Sequence, residues 1–592
     1  AQLDGLPLAL ELAAAQLRLL SLDALFGRLA TRIPELVGGP RDAPARQRTM
    51  RLAIAWSYDM LTVDEAAVFR RIAVFVGGCT QEAAVAVCNA VGGAATVSHA
   101  LASLMDKSLV QCQEQEPDVS RFTMLEVVRE YAWERLVAHD EAAAVARDHA
   151  LYFLTLAEST APDLMGARTA RSLRRLEEDH ANLRAALRWT QQSGEGATGL
   201  RIAAALWRFW QGRGYLREGR EWLELMLART ADTGEDVARA RIEALIGAGM
   251  LAMRQGEVAS AMALLTEGLA RAYALGDPAL IADALNALGY VALSREAFVQ
   301  ARVRYEEALA LYRTLDDPWC IATALGNLAN VAQRLGDNRG AVALCEESLH
   351  IHRTLRDEYA LGFVLTTFGT ALGFLGEIPR ARGALIETLT MRQRLGDRAG
   401  IAVSLLCLGN LAMRIGQSAE AAAYFEESVA IGQEIGSHRT VGYALRGLGD
   451  SARARNCPGD AIRWYAQTLR EIQYLRVPSI LIRECERLIA LAHELGQHER
   501  VAPLLAATHA LRDSSAGNPP SLLTAQALLP VQARAALCDA AFAATWDAEA
   551  AGSLDRAIDA VLASPTDQDV CILATHSSLD PSPTWKGEGK EF

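Results

Sequence analysis

Apolar and small residues between positions 235 and 510 recur with a period that no single helix produces. The phrase ALNALG at 284–289 returns as ALGNLA at 324–329, VLTTFG at 364–369, SLLCLG at 404–409 and ALRGLG at 444–449, and a degenerate copy, ALIGAG, ends at Gly249. The small residue falls at 249, 289, 329, 369, 409 and 449, a period of 40 without slippage. Apolar anchors keep the same period at Leu269, Leu309, Leu349, Leu389, Val429 and Leu469, and an acid stands two places earlier at Glu267, Glu307, Glu347, Glu387 and Glu427, with Gln467 closing the series. Gly256, Gly336, Gly376 and Gly416 break most units in the middle. Triplets such as Leu275-Gly276-Asp277 and Leu395-Gly396-Asp397 separate one unit from the next. Each unit therefore reads as helix, glycine turn, helix, turn. One such hairpin cannot bury its apolar face alone, whereas stacked neighbours form a superhelix with a concave inner surface.

Residues 1–140 do not follow this register. A helix is expected from 5 to about 20 and a second over 22–29, before Gly38-Gly39-Pro40 interrupts the pattern. Helices follow at 50–60, 65–72, 80–88 and 98–107. Two short strands, 109–113 and 121–124, bracket a polar loop at 114–120 expected to be a solvated hairpin tip, and a last helix covers 125–136. Helices, a hairpin and a helix make a winged-helix-like domain. Residues 141–234, with Trp207, Phe209, Trp210 and Trp222, read as a helical cap or as divergent first repeats. After a linker at 511–523, amphipathic helices at 534–546 and 554–562 predict a C-terminal helical cap, and the Asp/Ser/Pro/Gly-rich stretch 564–592 predicts a disordered tail.

Composition narrows the function classes. The 592 residues are too many for one core. Ala and Leu dominate the apolar fraction and favour helix. The formal net charge is −12 with no lysine cluster, so direct nucleic-acid binding by this chain is not expected. The ten cysteines stand singly without a CxxC pair, which predicts reduced cysteines in a cytoplasmic protein. No apolar run of about 18 residues lacks a charge, so no membrane span is expected. The chain opens on Ala1 and runs at once into an amphipathic helix, the look of a sequence truncated at its N-terminus.

The repeat resembles the tetratricopeptide repeat, whose usual unit is about 34 residues; at 40, the helices or the turns are longer. The overall expectation is thus an all-α chain: a tetratricopeptide-like α-solenoid over 235–510, preceded by a small winged-helix domain at 41–140. GLPLAL at 5–10 looks like the end of the nucleotide-binding module of NB-ARC-class signal-transducing ATPases. RQRTMRLAIAWSY at 46–58, FVGGCT at 75–80, LASLMDKSL at 101–109 and FTMLEVVREYA at 122–132 are similar to the winged helix that follows it in that class. The order resembles bacterial regulators of the LuxR type with a large ATPase. The resemblance implies that 1–40 ends a nucleotide-binding module and that Pro7 is nucleotide-proximal once that module is present. ATP or ADP serves the full-length relatives, and a protein, peptide or small-molecule inducer occupies the solenoid. No G-x-x-x-x-G-K-[ST] phosphate loop occurs in the sequence, so no cofactor is expected within it. Met124-Leu125-Glu126 stands where many relatives have Met-His-Asp, and Leu125 has no side-chain donor for a phosphate.

Several sharper motifs have plainer explanations. GEGATG at 194–199 fits G-x-G-x-x-G but follows a helix rather than a strand, so a flexible interhelical loop is expected. His493 and His498 are five apart, the wrong spacing for a helical zinc pair. His350 and His352 are expected at the surface. The candidate recognition helix, 100–107, holds one Lys and one Asp, which favours a structural role for the winged helix. Groove contacts are expected from the first helix of each repeat at Arg254, Asn330, Arg334, Thr370, Asn410, Arg414 and Asp450, where Asn can hold a peptide backbone and Arg a carboxylate. No catalytic constellation stands out, so the chain is expected not to be an enzyme. It reads as the sensor portion of an ATP-dependent transcriptional regulator, with a free-standing scaffold protein as the alternative.

Overall fold

The structure is a computed structural model and describes residues 50–116, 119–231, 234–475, 478–495 and 508. They fall into two compact units, the first running to Ala324 and the second from Leu325. Pro7 with the rest of 1–40, the expected cap at 511–563 and the tail at 564–592 lie outside the described residues, as do Gly496, His498 and Leu505.

The first unit opens with α1 (Met50–Asp59), α2 (Val63–Arg71), a 3-10 turn (Ile72–Val74), β1 (Cys79–Thr80), α3 (Gln81–Val87), α4 (Ala94–Asp106), β2 (Gln111–Glu116), β3 (Val119–Thr123) and α5 (Glu126–Ala138). The start of α2 is fixed by reciprocal capping: the Glu65 amide donates to the Thr62 hydroxyl, and the Thr62 amide donates to the Glu65 carboxylate. Val68, Phe69, Phe75, Leu101, Leu104 and Leu136 fill the core. The sheet runs β1-β3-β2, antiparallel throughout. This is the expected winged helix with two corrections. The hairpin strands reach Glu116 and start again at Val119, so most of the expected loop at 114–120 is ladder, with a bulge between Glu114 and Glu116. β1 was not expected, because two residues are too few to show a period. It exists because Gly77 and Gly78 take φ of +82° and +88°. A Cβ on Gly78 would stand 2.4 Å from the Phe122 carbonyl oxygen.

Helices α6 (Ala142–Thr160), α7 (Thr169–Glu178), α8 (His180–Ser193), α9 (Gly196–Arg213) and α10 (Leu216–Arg229) follow. They join the winged helix through a buried polar knot. The Arg121 guanidinium donates to the carbonyls of Gly77 (3.0 Å), Gly78 (3.1 Å) and Glu178 (3.0 Å) and to the Asp179 carboxylate (2.9 Å). Asn182 accepts from the Val76 amide at 2.7 Å and donates to the Gly78 carbonyl at 2.9 Å. The expected loop at 194–199 is corrected to two residues. Gly194 ends α8 in the left-handed conformation, and α9 already begins at Gly196. A Cβ on Gly199 would lie 2.5 Å from the Thr190 hydroxyl, so this glycine serves helix packing rather than phosphate binding.

The repeats have first helices α11 (Glu235–Arg254), α13 (Pro278–Ser294), α15 (Pro318–Arg334), α17 (Glu358–Leu375), α19 (Arg398–Arg414), α21 (His438–Ala454) and α23 (Pro478–Glu494). The second helices are α12 (Val258–Leu275), α14 (Phe298–Thr314), α16 (Asn338–Leu355), α18 (Ile378–Leu395), α20 (Ser418–Glu434) and α22 (Pro458–Ile472). Turns within the clear repeats are two or three residues, so the extra length over an ordinary unit lies in the helices. The small column has a physical reason. A Cβ on Gly249, Gly289, Gly369, Gly409 or Gly449 would come within 2.5–2.7 Å of Leu265, Tyr305, Leu385, Phe425 or Tyr465, always sixteen residues later on the second helix. Where Ala329 stands in the column, the residue sixteen on is the smaller Cys345, and both are fully buried. Each described middle turn holds positive φ, and Glu296 and Asn456 adopt it at +59° and +58° where the other described turns have glycine. α17 is long and apolar enough to cross a membrane by composition alone. The structure uses it as an ordinary first helix, packed against α16 and α18. His350 is exposed as expected, but His352 is corrected to fully buried, its ring 3.9 Å from the Asp357 carboxylate.

Candidate ligand surfaces on the first helices

In the second unit α17 packs between α16 and α18, α19 between α18 and α20, and α21 between α20 and α22, which leaves a narrow accessible stripe on each. On α17 that stripe is Tyr359, Phe363, Thr366, Thr370 and Phe374, at the four-three-four-four spacing of one helix face. The same positions are Ala399, Val403, Leu406, Asn410 and Arg414 on α19, and Arg439, Tyr443, Arg446, Asp450 and Ala454 on α21. The predicted residues all stand on such stripes. Arg254, Arg334, Asn410 and Arg414 are exposed; Asn330, Thr370 and Asp450 are half-buried.

Their polar groups are not all available. Thr370 donates its hydroxyl to the Thr366 carbonyl of its own helix at 2.7 Å. Arg414 donates to the Gly373 carbonyl at 3.2 Å and lies over the Phe374 ring at 4.2 Å. Asp450 accepts from the Tyr465 hydroxyl at 2.7 Å and faces Arg487 at 3.5 Å. Sequence reading missed the apolar half of the stripe, Tyr359, Phe363 and Phe374, three aromatic side chains left 55%, 42% and 48% exposed. Only Phe374 had a signal in the repeat, standing 40 residues from both Arg334 and Arg414; Tyr359 and Phe363 belong to columns in which no residue was predicted.

In the first unit the stripe borders a cavity of about 400 Å³ lined by α9, α11, α13 and the 3-10 turn at Ala161–Leu164. Glu243 on α11 and Asp283 on α13 occupy the same repeat position, 40 residues apart, and both face it. Burial pushes both carboxyls above their usual range, and Arg239 and Arg208 only partly offset this at Glu243. The buried Tyr312 hydroxyl donates to Asp283 at 2.7 Å. The column continues to Thr323, whose hydroxyl is buried without a partner. Neither acid was expected at the surface from sequence, because the expected contacts lie only in the two stripe columns nearest the glycine turn.

A second concavity, about 620 Å³, lies beside Thr80, Ser120 and α7, where Arg168, Arg171, Arg174 and Arg175 are exposed. Acids temper them: Arg168 pairs with Asp163 at 3.0 Å, and Arg175 approaches Glu82 at 3.6 Å. On the winged helix, the one lysine of the candidate recognition helix, Lys107, is engaged by Glu65 at 2.6 Å. Lys107 and Ser103 hold the Glu65 carboxyl down at about 2. The eight described cysteines are free thiols. Burial lifts Cys88, Cys345 and Cys485 to about 12. Among the described residues no group of three or more His, Cys, Asp or Glu could hold a metal ion.

The parts of this architecture have counterparts among known proteins. A winged helix-turn-helix domain model matches residues 61–137, and tetratricopeptide repeat models match 321–356 and 400–470. Over 299 residues the chain is 37% identical to a protein of Mycobacterium tuberculosis (strain H37Rv) whose name assigns it provisionally to the HTH-type transcriptional regulators. The match covers 49% of this chain and 33% of the relative, so the chain spans about a third of that protein's length. A second, uncharacterized protein of the same organism is 34% identical over 147 residues, 24% of this chain and 37% of its own length. Among solved structures, a signal transduction ATPase with numerous domains from Pyrococcus horikoshii, which has a tetratricopeptide repeat sensor, superposes with a TM-score of 0.50 at 15% identity. That match covers 85% of this chain and 71% of the other. The chain is thus a winged helix followed by a tetratricopeptide-like α-solenoid, similar over half its length to a protein named as a transcriptional regulator.

Proposed function

We propose that this chain is the sensor and signal-transfer portion of a transcriptional regulator. A protein, peptide or small inducer binds on the stripes of the first helices, and the winged helix passes that event to an ATP-dependent nucleotide module. The chain itself carries no catalysis and needs no cofactor of its own. It acts in the cytoplasm and leaves DNA contact to another part of the regulator. The observation that carries this reading is the 37% identity, over half the chain, to a protein named as a transcriptional regulator. The order of domains supports it, as does the engagement of Lys107 by Glu65, which leaves the candidate recognition helix without a free lysine for phosphate.

The test is genetic. An in-frame removal of the repeats (235–494) from the native gene should change the same transcripts as removal of the whole gene. A transcript profile indistinguishable from wild type overturns the reading. Calorimetry of the purified chain with ATP and ADP should give no heat of binding, and micromolar binding would relocate the nucleotide site into this chain.

A further inference from the structure

We propose that the cavity bordered by α9, α11 and α13 binds a small zwitterion, a free α-amino acid or a dipeptide, with its ammonium group against Glu243 and Asp283 and its carboxylate on Arg208. This rests on the sensor reading and gives the sensed ligand a chemical class. The volume of this open-sided cavity, about 400 Å³, lies at the small end of the range for ligand pockets.

The fold has already satisfied some of the charges around this cavity and not others. Arg201 is closed off by two hydrogen bonds to Glu158, at 2.7 and 3.0 Å. Arg239 spans Asp277 at 2.5 Å and Glu243 at 3.5 Å. Arg208 is different: half-buried in the cavity wall, it has no carboxylate within ion-pair distance among the described residues and rests over the ring of its neighbour Trp207 at 4.3 Å. A half-buried guanidinium facing a cavity without a partner is costly unless something supplies an anion. Opposite in sign, Glu243 and Asp283 sit where burial destabilises their charged forms. Tyr312 engages one oxygen of Asp283 and leaves the other free to accept.

Three simpler ligands fit less well. A metal ion needs several converging oxygen donors, and no such group of acids occurs among the described residues. A polyamine would bring its additional positive charges against three arginines. A simple anion would meet Glu243 and Asp283, with Asp236 and the Arg201-bound Glu158 also on the lining. A molecule with one ammonium and one carboxylate satisfies both ends. Trp207, Ile246 and Met165 then offer an apolar wall to its side chain.

The test is isothermal titration calorimetry of the whole chain with each proteinogenic L-amino acid and with glycyl-leucine. Leucinamide, which lacks the carboxylate, and 4-methylvalerate, which lacks the ammonium, serve as single-charge probes. At least one zwitterion should bind, with both single-charge probes weaker by about tenfold or more. The amino-acid and dipeptide arms identify the source of the ligand. Arg208→Gln should weaken the zwitterion by about tenfold and leave leucinamide unchanged, and Asp283→Asn should weaken leucinamide and leave 4-methylvalerate unchanged. The proposal is overturned if no zwitterion binds at millimolar concentration to a chain that still unfolds cooperatively, or if binding is indifferent to Arg208→Gln and Asp283→Asn. Failure here with a transcript profile that still depends on the repeats removes this site and leaves the sensor reading standing; zwitterion binding with an indifferent transcript profile does the reverse.

Discussion

The six small residues from Gly249 to Gly449 are each set against a filler sixteen positions later. Gly409→Ala puts a methyl group where the Phe425 ring already lies, 2.5 Å from the new carbon, and neither rigid helix can yield easily. The expected loss is about 1–3 kcal/mol, the usual cost of overpacking a filled site, measured by urea unfolding. Glu296 presents the opposite case. It holds φ of +59° at a turn where four other repeats use glycine, so Glu296→Gly should stabilise the chain by up to about 1 kcal/mol, the left-handed strain less the entropy that glycine adds to the unfolded chain. A destabilised Glu296→Gly variant would show that the side chain contributes more than its backbone costs. The small and turn columns were legible in the sequence because backbone sterics permit few residue types at those places. His352 was not, because nothing in its neighbours' identities says which face of α16 meets α17.

Elements join through contacts that sequence spacing does not reveal. Arg121 and Asp179 are 58 residues apart, and their knot with Asn182 and the Gly77-Gly78 carbonyls fixes the sheet of the winged helix against α7 and α8. Arg121→Met should cost about 3–5 kcal/mol, because it leaves the buried Asp179 carboxylate without its cation and the Gly77 and Glu178 carbonyls without the guanidinium, while Asn182 still donates to Asp179 and Gly78. The double variant Arg121→Met/Asp179→Leu should recover part of that loss, and a single variant as stable as wild type would remove the knot from the account. Glu65 links α2 to α4 with a definite pH dependence. Its folded carboxyl titrates near 2 against an ordinary value of 4.5, so the unfolded chain binds the proton more tightly. The stabilisation is complete above about pH 4.5 and is lost as the pH falls toward about 2. The stability difference between wild type and Glu65→Gln should shrink over that window, and a constant difference would place the contribution elsewhere. β1 escaped sequence reading for the same reason as the knot: its only signal, Gly77-Gly78, has meaning once Phe122 lies alongside it.

At the scale of the whole molecule, the domain order was legible: a winged helix over α1–α5, intermediate helices, and hairpins of fixed period. The candidate binding surface was legible only in part. Arg254, Asn330, Arg334, Thr370, Asn410, Arg414 and Asp450 fall on the accessible stripes. Phe374 shares the column of Arg334 and Arg414, whereas Tyr359, Phe363 and the acid pair at 243 and 283 lie one or more helical turns earlier on the same face, and they gain their character from what neighbouring helices leave uncovered. A period finds the face; only packing shows which of its residues are already spent on one another, as Arg414 is on Gly373 and Phe374.

The strict spacing also makes the array editable in whole units. Removing residues 358–397 would join Asp357 directly to Arg398, and Asp357 is itself a helix cap equivalent to Asp397. The splice restores a capped first helix in phase with the second helix before it, so the shortened chain should keep its helical content per residue and unfold cooperatively at a modestly lower temperature. Removing half as many residues, 358–377, sets a second helix where a first belongs and should give an aggregating or partly unfolded product by circular dichroism. Joints of one geometry at equal intervals also make whole-unit insertion or loss the structurally tolerated change. A lineage carrying such an array can lengthen or shorten its reach by one module at a time while every surviving joint stays in register.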